Sequence, residues 1–334
     1  MSLSLIAFTR KGAELGKRLA AELGGELAVP PRLSAELDLP AYPSLEEWTA
    51  ERWRQGGELL FIGAAGIAVR AIAPCVKDKF TDPAVVSVDE AGRFAVPLLS
   101  GHVGGANALA LRVAALTGGQ AAVSTATDVN GLFAVDVWAK ARGLTITDRG
   151  AAKRVSAALL EGRPVGFVSG FGHPCPAGLK EEDASLGVWV TAKTAPLPFP
   201  DTLRLIPRCL TVGIGCRKGT PQSAIERAVT GALDRAGYDA LAVAGAATID
   251  LKKDEPGLLA FCAAHGWDLT VYSAEALRAA AGTFTPSPFV EGVTGVDNVC
   301  ERAAALLSGG RVVLPKQAGD GVTVAIAEIP DKGA

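Results

Sequence analysis

The alternation of short apolar runs with stripes of helical period predicts an α/β protein of more than one domain. Three observations carry this expectation. Residues 3–8, 58–63 and 210–214 are apolar runs of strand length, each is followed by a stretch of helical periodicity, and glycines mark two of the three joints. The length of 334 residues fits two or three domains. Hydrophobic residues make up 49% and charged residues 20%, which is enough apolar surface to order the whole chain and excludes fibres and disorder. Lys plus Arg (33) nearly cancels Asp plus Glu (35), so no whole-protein field draws in nucleic acid or an anionic membrane, and any anion site must be local.

Each element follows in order. Residues 3–8 read as a strand leading into a helix over 11–23, where Leu15, Leu19 and Leu23 share one stripe. A Pro-rich loop comes next, and Ser44 with Glu47 three residues later forms a capping box for a helix carrying Trp48 and Trp53. Residues 58–63 make a strand running into a helix over 64–73, which Pro74 stops. Residues 85–88 and 94–99 flank a hairpin turn in which Gly92 supplies a positive φ. A helix beginning near His102 keeps its spacing through Ala106, Leu109, Val113 and Leu116 until Gly118 and Gly119 end it. A short strand over 121–124 precedes a helix over about 131–141.

From 145 to 207 the layering continues, with a helix over 151–160 and strands over 164–169 and 186–191. Pro196, Pro198, Pro200 and Pro207 crowd the end of this stretch and read as a linker, because proline lacks the N–H that a central strand needs. The expected domains are therefore 1–135, an N-terminal α/β domain; 136–207, a central region with its linker; and 208–334, a separate layered α/β domain. The last opens with the strand 210–214, then Thr220 as N-cap and Pro221 as first helical residue, with Ile225, Val229, Ala232 and Leu233 on one face. Helices over 255–265, 273–281 and 296–307 and strands over 312–314 and 322–328 complete it.

Other signals bound the setting. The apolar N-terminal run is followed by Arg10 and Lys11 without a small-residue cleavage site, and no window of 18 uninterrupted apolar residues exists, so neither export nor a membrane span is expected. The six cysteines are scattered, with no C-x-x-C and no close Cys/His cluster of zinc-ligand spacing, which points to a reduced, cytoplasmic protein with no metal site and with thiols serving as small buried hydrophobes.

Four clusters are candidates for chemistry. Gly63 and Gly66 open the helix that ends near Arg70, a strand–turn–helix joint suited to an anion. Gly101, His102, Gly104, Gly105 and Asn107 form a second joint, where glycines costly to a helix suggest a ligand pressed against the backbone. There the helix N-terminus is expected to keep the His102 ring neutral and able to accept a proton. Thr125, Thr127 and Asp128 sit at a strand end, Asp128 being either a helix cap or a second acid/base group. In the C-terminal part, Gly213-Ile214-Gly215-Cys216-Arg217-Lys218-Gly219 fails both the dinucleotide and the P-loop patterns, leaving a glycine nest with Arg217 and Lys218 for carboxylates or phosphates. No G-x-S-x-G and no H-E-x-x-H is present.

Taken together, 63–74, Lys77-Asp78-Lys79-Phe80-Thr81-Asp82-Pro83, the Asp89–Arg93 hairpin, Ser100 to Asn107 and Thr125 to Asp128 resemble the N-terminal domain of the CbiG family of anaerobic cobalamin synthesis in order and spacing. Residues 213–220, 249–258 and 321–327 are similar to its C-terminal domain, whereas Gly170-Phe171-Gly172-His173-Pro174-Cys175 matches no motif of it. The resemblance implies a hydrolase acting on cobalt-precorrin-5A, a cobalt-bound contracted tetrapyrrole edged with acetates and propionates. The ring-A acetate lactone would be opened and the extruded methylated bridge carbon released as acetaldehyde. It implies no cofactor, since cobalt enters with the substrate, and other cobalamin-pathway enzymes as partners. His102 and Asp128 are then the expected catalytic pair, and Arg70, Lys77 and Lys79 the expected carboxylate ligands. A non-catalytic corrinoid-binding protein is the alternative.

Overall fold

The computed structural model describes residues 2–78, 81–102, 104–181 and 184–330. The chain divides into two compact units, residues 1–138 and 139–334.

The first unit is built on a six-stranded sheet. Strands β1 (Leu3–Ala7), β2 (Gly25–Ala28), β3 (Glu58–Ile62), β4 (Ala84–Val88), β5 (Phe94–Leu99) and β6 (Gln120–Ala121) lie in the order β2-β1-β3-β4-β5-β6. The first four are parallel, β5 runs antiparallel to β4, and β6 runs parallel to β5. Pro97 is tolerated within β5 because β6 pairs only with Phe94 and Ala95. Alternate strand residues face opposite sides. Leu5, Leu60 and Val86 pack with Leu15 and Leu19 of α1 (Arg10–Leu23) and Leu109 and Val113 of α5 (Ala106–Thr117). Ile6, Phe61 and Val85 pack instead with Trp48 of α3 (Leu45–Gln55) and Ala68 and Ile72 of α4 (Ala65–Ile72). Both faces are thus covered, as a parallel sheet requires.

Local chemistry fixes the element ends. Ser44 accepts from the Glu47 amide at 3.0 Å, and Gly92, at φ 71°, turns the β4–β5 hairpin while Asp89 accepts from the Ala91 and Phe94 amides. The Pro-rich stretch before Ser44 is not all loop: it holds β2 and α2 (Pro31–Leu37). Helix α5 starts at Ala106, so His102 lies in the turn ahead of it and not in its first turn. Two short helices, α6 (Ala126–Val129) and α7 (Val135–Ala141), follow β6.

The second unit holds two sheets. Strands β7 (Leu144–Ile146), β8 (Gly166–Ser169), β9 (Leu186–Val190) and β10 (Asp201–Pro207) lie in the order β7-β10-β9-β8, with α8 (Arg149–Leu160) against β9 and β10. The stretch read as a linker therefore contains an inner strand. Its prolines do not obstruct it, because Pro196, Pro198 and Pro200 precede β10 and Pro207 ends it. The other sheet has β11 (Leu210–Cys216), β12 (Val243–Ile249), β13 (Leu269–Tyr272), β14 (Arg311–Gly319) and β15 (Val322–Glu328) in the order β13-β12-β11-β15-β14, with β15 antiparallel to β11 and β14. Helices α9 (Gln222–Ala236) and α10 (Pro256–His265) cover one face, and α11 (Ala274–Ala279) and α13 (Cys300–Ser308) the other, with α12 (Pro288–Thr294) between those two in the chain. The N-cap of α9 is Pro221, while Thr220 turns inward to donate to the Arg217 carbonyl at 2.8 Å.

Candidate functional site

The reversal of β5 places the site. Because β5 runs against β4, its carboxyl end reaches the edge of the sheet where β3 and β4 begin, and the chain leaving β6, which ends level with Ala95, heads toward the same edge. The turn 100–105 grows from that end. Ser100 takes a positive φ of 56° and its hydroxyl donates to the Asp82 carbonyl at 2.9 Å. A Cβ on Gly104 would lie 2.3 Å from the Ser100 Cβ, and one on Gly101 would lie 2.6 Å from Asn107 Oδ1. These glycines make room for the protein's own side chains, so on that side no space is left for a ligand. Gly105, at φ 100°, reverses the chain into α5.

The turn delivers His102 between two carboxylates. Its Nε2 lies 2.8 Å from Asp128 Oδ2, its Nδ1 lies 3.5 Å from Asp136 Oδ2, and the Thr127 hydroxyl is 3.2 Å from Nε2. Buried Asn107 anchors the far side, its amide donating to Asp128 Oδ2 at 2.6 Å and to Thr125 Oγ1 at 2.9 Å. The structure thus joins His102 and Asn107 of one marked cluster with Thr125, Thr127 and Asp128 of another.

Electrostatics in this cluster differ from the expectation of a neutral ring. The pKa of His102 is raised, chiefly by Asp136, against partial desolvation and with help from Asp128. Asp136 acts more strongly than the nearer Asp128 because it is better sheltered from water, with a side-chain exposure of 22% against 38%. Desolvation raises the Asp136 carboxyl, but the facing His102 outweighs it and the net shift is downward. The dipole of α5 does not set the ring's charge, since the ring lies outside that helix. Asp136 itself carried no sequence signal beyond that of an acid in the first turn of a helix, where acids are ordinary.

The other marked residues fall in different places. Gly63 lies beyond the carboxyl end of β3, five residues or about 16 Å from the edge bearing His102, and Gly66 begins the helix at that far end. Helix α4 returns antiparallel to β3; exposed Arg70 in its last turn points its guanidinium back to the first turn, 3.7 Å from a Cβ built on Gly66 and so away from the His102 edge, whereas exposed Lys77 follows the helix. The tie from Ser100 to Asp82, whose carboxylate accepts from the Lys77 and Asp78 amides at 2.9 and 3.0 Å, fixes the Lys77 loop at the His102 edge. Lys79 lies outside the described residues.

Gly215, Arg217 and Lys218 belong to the second unit. A Cβ on Gly213 would come within 1.8 Å of the Cys300 carbonyl, so that glycine serves close packing of β11 on α13. The expected nest is already filled, because the Gly219 amide donates at 2.5 Å to Glu255, a buried carboxylate held below its ordinary pKa by that bond. Arg217 and Lys218 remain exposed.

Burial pushes the thiols of Cys209, Cys262 and Cys300 up to about 11, which removes them as thiolate nucleophiles near neutral pH. Among the described residues no group of three or more His, Cys, Asp or Glu is arranged to hold a metal ion, and no helix is long and apolar enough to cross a membrane.

Comparison with known proteins adds independent information. Three family models match along the chain: Cobalamin synthesis G N-terminal over residues 47–128, Cobalamin biosynthesis central region over 133–207, and Cobalamin synthesis G C-terminus over 210–327. A Salmonella typhimurium protein named cobalt-precorrin-5A hydrolase is 35% identical over 344 aligned residues, covering 97% of each chain. A Priestia megaterium protein of the same name is 33% identical, covering 81% of this chain and 78% of the relative. A solved structure, a putative cobalamin biosynthesis protein G homolog from Sulfolobus solfataricus, is 19% identical, covers 98% of this chain and 97% of its own, and has a TM-score of 0.41.

Proposed function

The chain belongs to the CbiG family, and from that membership we infer its activity: it is a cobalt-precorrin-5A hydrolase. The observation that carries this is the 35% identity over 97% of both chains to a hydrolase of that name. The reaction opens the ring-A acetate lactone of a cobalt-bound contracted tetrapyrrole and releases the extruded methylated bridge carbon as acetaldehyde.

We propose that the His102–Asp128 pair is the base. The Asp136 carboxylate holds Nδ1, so the edge that exchanges its proton is Nε2, which faces Asp128 and Thr127. Water attacking the lactone carbonyl gives its proton to the pair, and the imidazolium that forms is stabilised by both carboxylates. The acyl C–O bond breaks, the freed oxygen on the extruded carbon forms the carbonyl of acetaldehyde, and the macrocycle takes the electron pair of the broken C–C bond. The raised pKa, caused chiefly by Asp136, makes the ring a stronger base than ordinary imidazole. The active form is the one in which Nε2 is free to accept that proton.

Arg70, Lys77 and Lys79 are assigned to substrate carboxylates: Lys77 is exposed on the loop that Asp82 ties to Ser100, the sequence places Lys79 two residues beyond it, and Arg70 is an exposed cation of α4 whose guanidinium lies near Gly66. The reading gives the chain no cofactor of its own, the cobalt being part of the substrate. It places the protein in the cytoplasm beside the enzymes that supply and consume its labile corrinoids. The test is product: the purified chain incubated with cobalt-precorrin-5A should release acetaldehyde, read by alcohol dehydrogenase and NADH oxidation. Tight binding without acetaldehyde would overturn the assignment.

A further inference from the structure

Hydrolysis explains His102 and its carboxylates, but leaves unexplained a cavity of about 660 Å³ in the second unit. It lies outside the carboxyl ends of the parallel strands β11 and β12, at Cys216 and Ile249, the position where ligands of open α/β sheets gather. One wall is α12. Phe289 and Val293, four residues apart on one helical face, are 74% and 67% exposed and line the space. Large side chains left in water as a contiguous patch beside a cavity mark a binding surface. The opposite wall is the β14–β15 turn, where the stem of Arg217 lies 3.1 Å from a Cβ built on Gly321 and the Arg217 amide donates to the Gly321 carbonyl at 3.0 Å.

The rim is cationic. Arg217, Lys218, Lys252 and Lys316 border the cavity against one acid, Asp320; Lys252 pairs with Glu255 at 3.1 Å, and Lys218 acts on the same carboxylate through its charge. A larger cleft of about 960 Å³, near the Gly170–His173 loop, has two of its cations engaged: Lys193 lies 3.4 Å over the Tyr238 ring and donates to the Ala236 carbonyl, and Arg311 pairs with Glu328. The smaller cavity combines an exposed apolar wall with a cationic rim.

We propose that this cavity is a binding site for the corrinoid in the second unit, its macrocycle face lying on Phe289 and Val293 and its peripheral carboxylates meeting Arg217, Lys218 and Lys316. A flat conjugated ring needs an apolar surface and its acid side chains need donors at the rim, which is the arrangement present. The proposal rests on the hydrolase reading for the identity of the ligand.

The test uses the full chain and cobyrinic acid, a cobalt corrin with free side-chain carboxylates, with its neutral methyl ester as control, titrated by visible absorbance. Acetaldehyde release from cobalt-precorrin-5A is measured in parallel. The variants are Phe289→Ser and the pair Arg217→Ala with Lys316→Ala; Phe289 and Arg217 are exposed and Lys316 is half-buried, all outside the buried core. Each should raise the Kd for cobyrinic acid at least tenfold, and the ester should lose the sensitivity to the charge variants. Unchanged affinity in both variants, or no binding of cobyrinic acid by the wild type, overturns the site even where acetaldehyde is released. Lost affinity in the variants with no acetaldehyde from the wild type supports the site and refutes the hydrolase reading instead.

Discussion

Asp136→Asn removes one charge from the His102 cluster and keeps the size of the side chain. Two unit charges 3.5 Å apart interact by about 5 kcal/mol at an effective dielectric of 20 and by about 1 kcal/mol in bulk water. The side chains of His102 and Asp136 are 16% and 22% exposed, so the pair lies between these limits, and about 2 kcal/mol is a fair working figure. That energy is available only when the ring carries its proton, which is the state formed as water is deprotonated. Its loss should therefore lower turnover about thirtyfold, at about 1.4 kcal/mol per factor of ten.

The pH profile separates this from mere damage to the fold. Asp136 raises the pKa of His102, and the active pair is the one free to accept a proton, so activity in the wild type should rise with pH through a value above that of ordinary imidazole. In Asp136→Asn this acid limb should move to lower pH while the plateau falls. A variant that only loosened the structure would lower the plateau and leave the limb in place. Acetaldehyde release at saturating substrate across pH, with thermal melting as a control, gives both readings. An unmoved limb with a plateau within twofold of the wild type would refute the role given to Asp136.

Three further outcomes are expected. His102→Ala should lose about 10² to 10⁴ in turnover, the usual worth of a general base, while corrinoid titration shows binding retained; near-wild-type turnover would end its assignment. Gly101→Ala places a methyl 2.6 Å from Asn107 Oδ1 and so pulls Asn107 off Asp128 and Thr125; turnover should fall at least tenfold for a loss of about 1 to 3 kcal/mol in stability by denaturant melt, and full activity would show that Asn107 does not hold Asp128. Arg70→Ala and Lys77→Ala should each weaken substrate binding by about tenfold to a hundredfold, the worth of one hydrogen bond to a charged group, and unchanged affinity in both would detach these residues from the substrate.

What was legible in the sequence is what neighbouring residues decide. Ser44 and Glu47 cap a helix because they are three apart, and Gly92 turns a hairpin because its φ is positive. The inner strand β10 was hidden by prolines that flank it without occupying its paired interior. The anion nest at Gly219 looked open because the carboxylate that fills it, Glu255, lies 36 positions further on. Asp136 was invisible for the same reason: an acid in the first turn of a short helix looks the same whether or not a histidine from another turn faces it.

The location of the cluster depends on one topological fact that no local pattern carries. In a wholly parallel sheet the loop after β5 would emerge beside Gly63, where glycine, strand end and helix start already suggested a site. The antiparallel turn at Gly92 sends β5 the other way, so the loops after β5 and β6 meet at the amino edge of β3 and β4. Arg112 confirms the placement, since from α5 it grips Glu58, the first residue of β3, with two contacts of 2.9 and 2.7 Å. The two glycine-rich joints of this unit therefore do different work. Gly63 packs against the Phe8 ring at the far edge, where a Cβ would approach it to 2.7 Å, and the joint at 100–105 alone brings an imidazole to carboxylates.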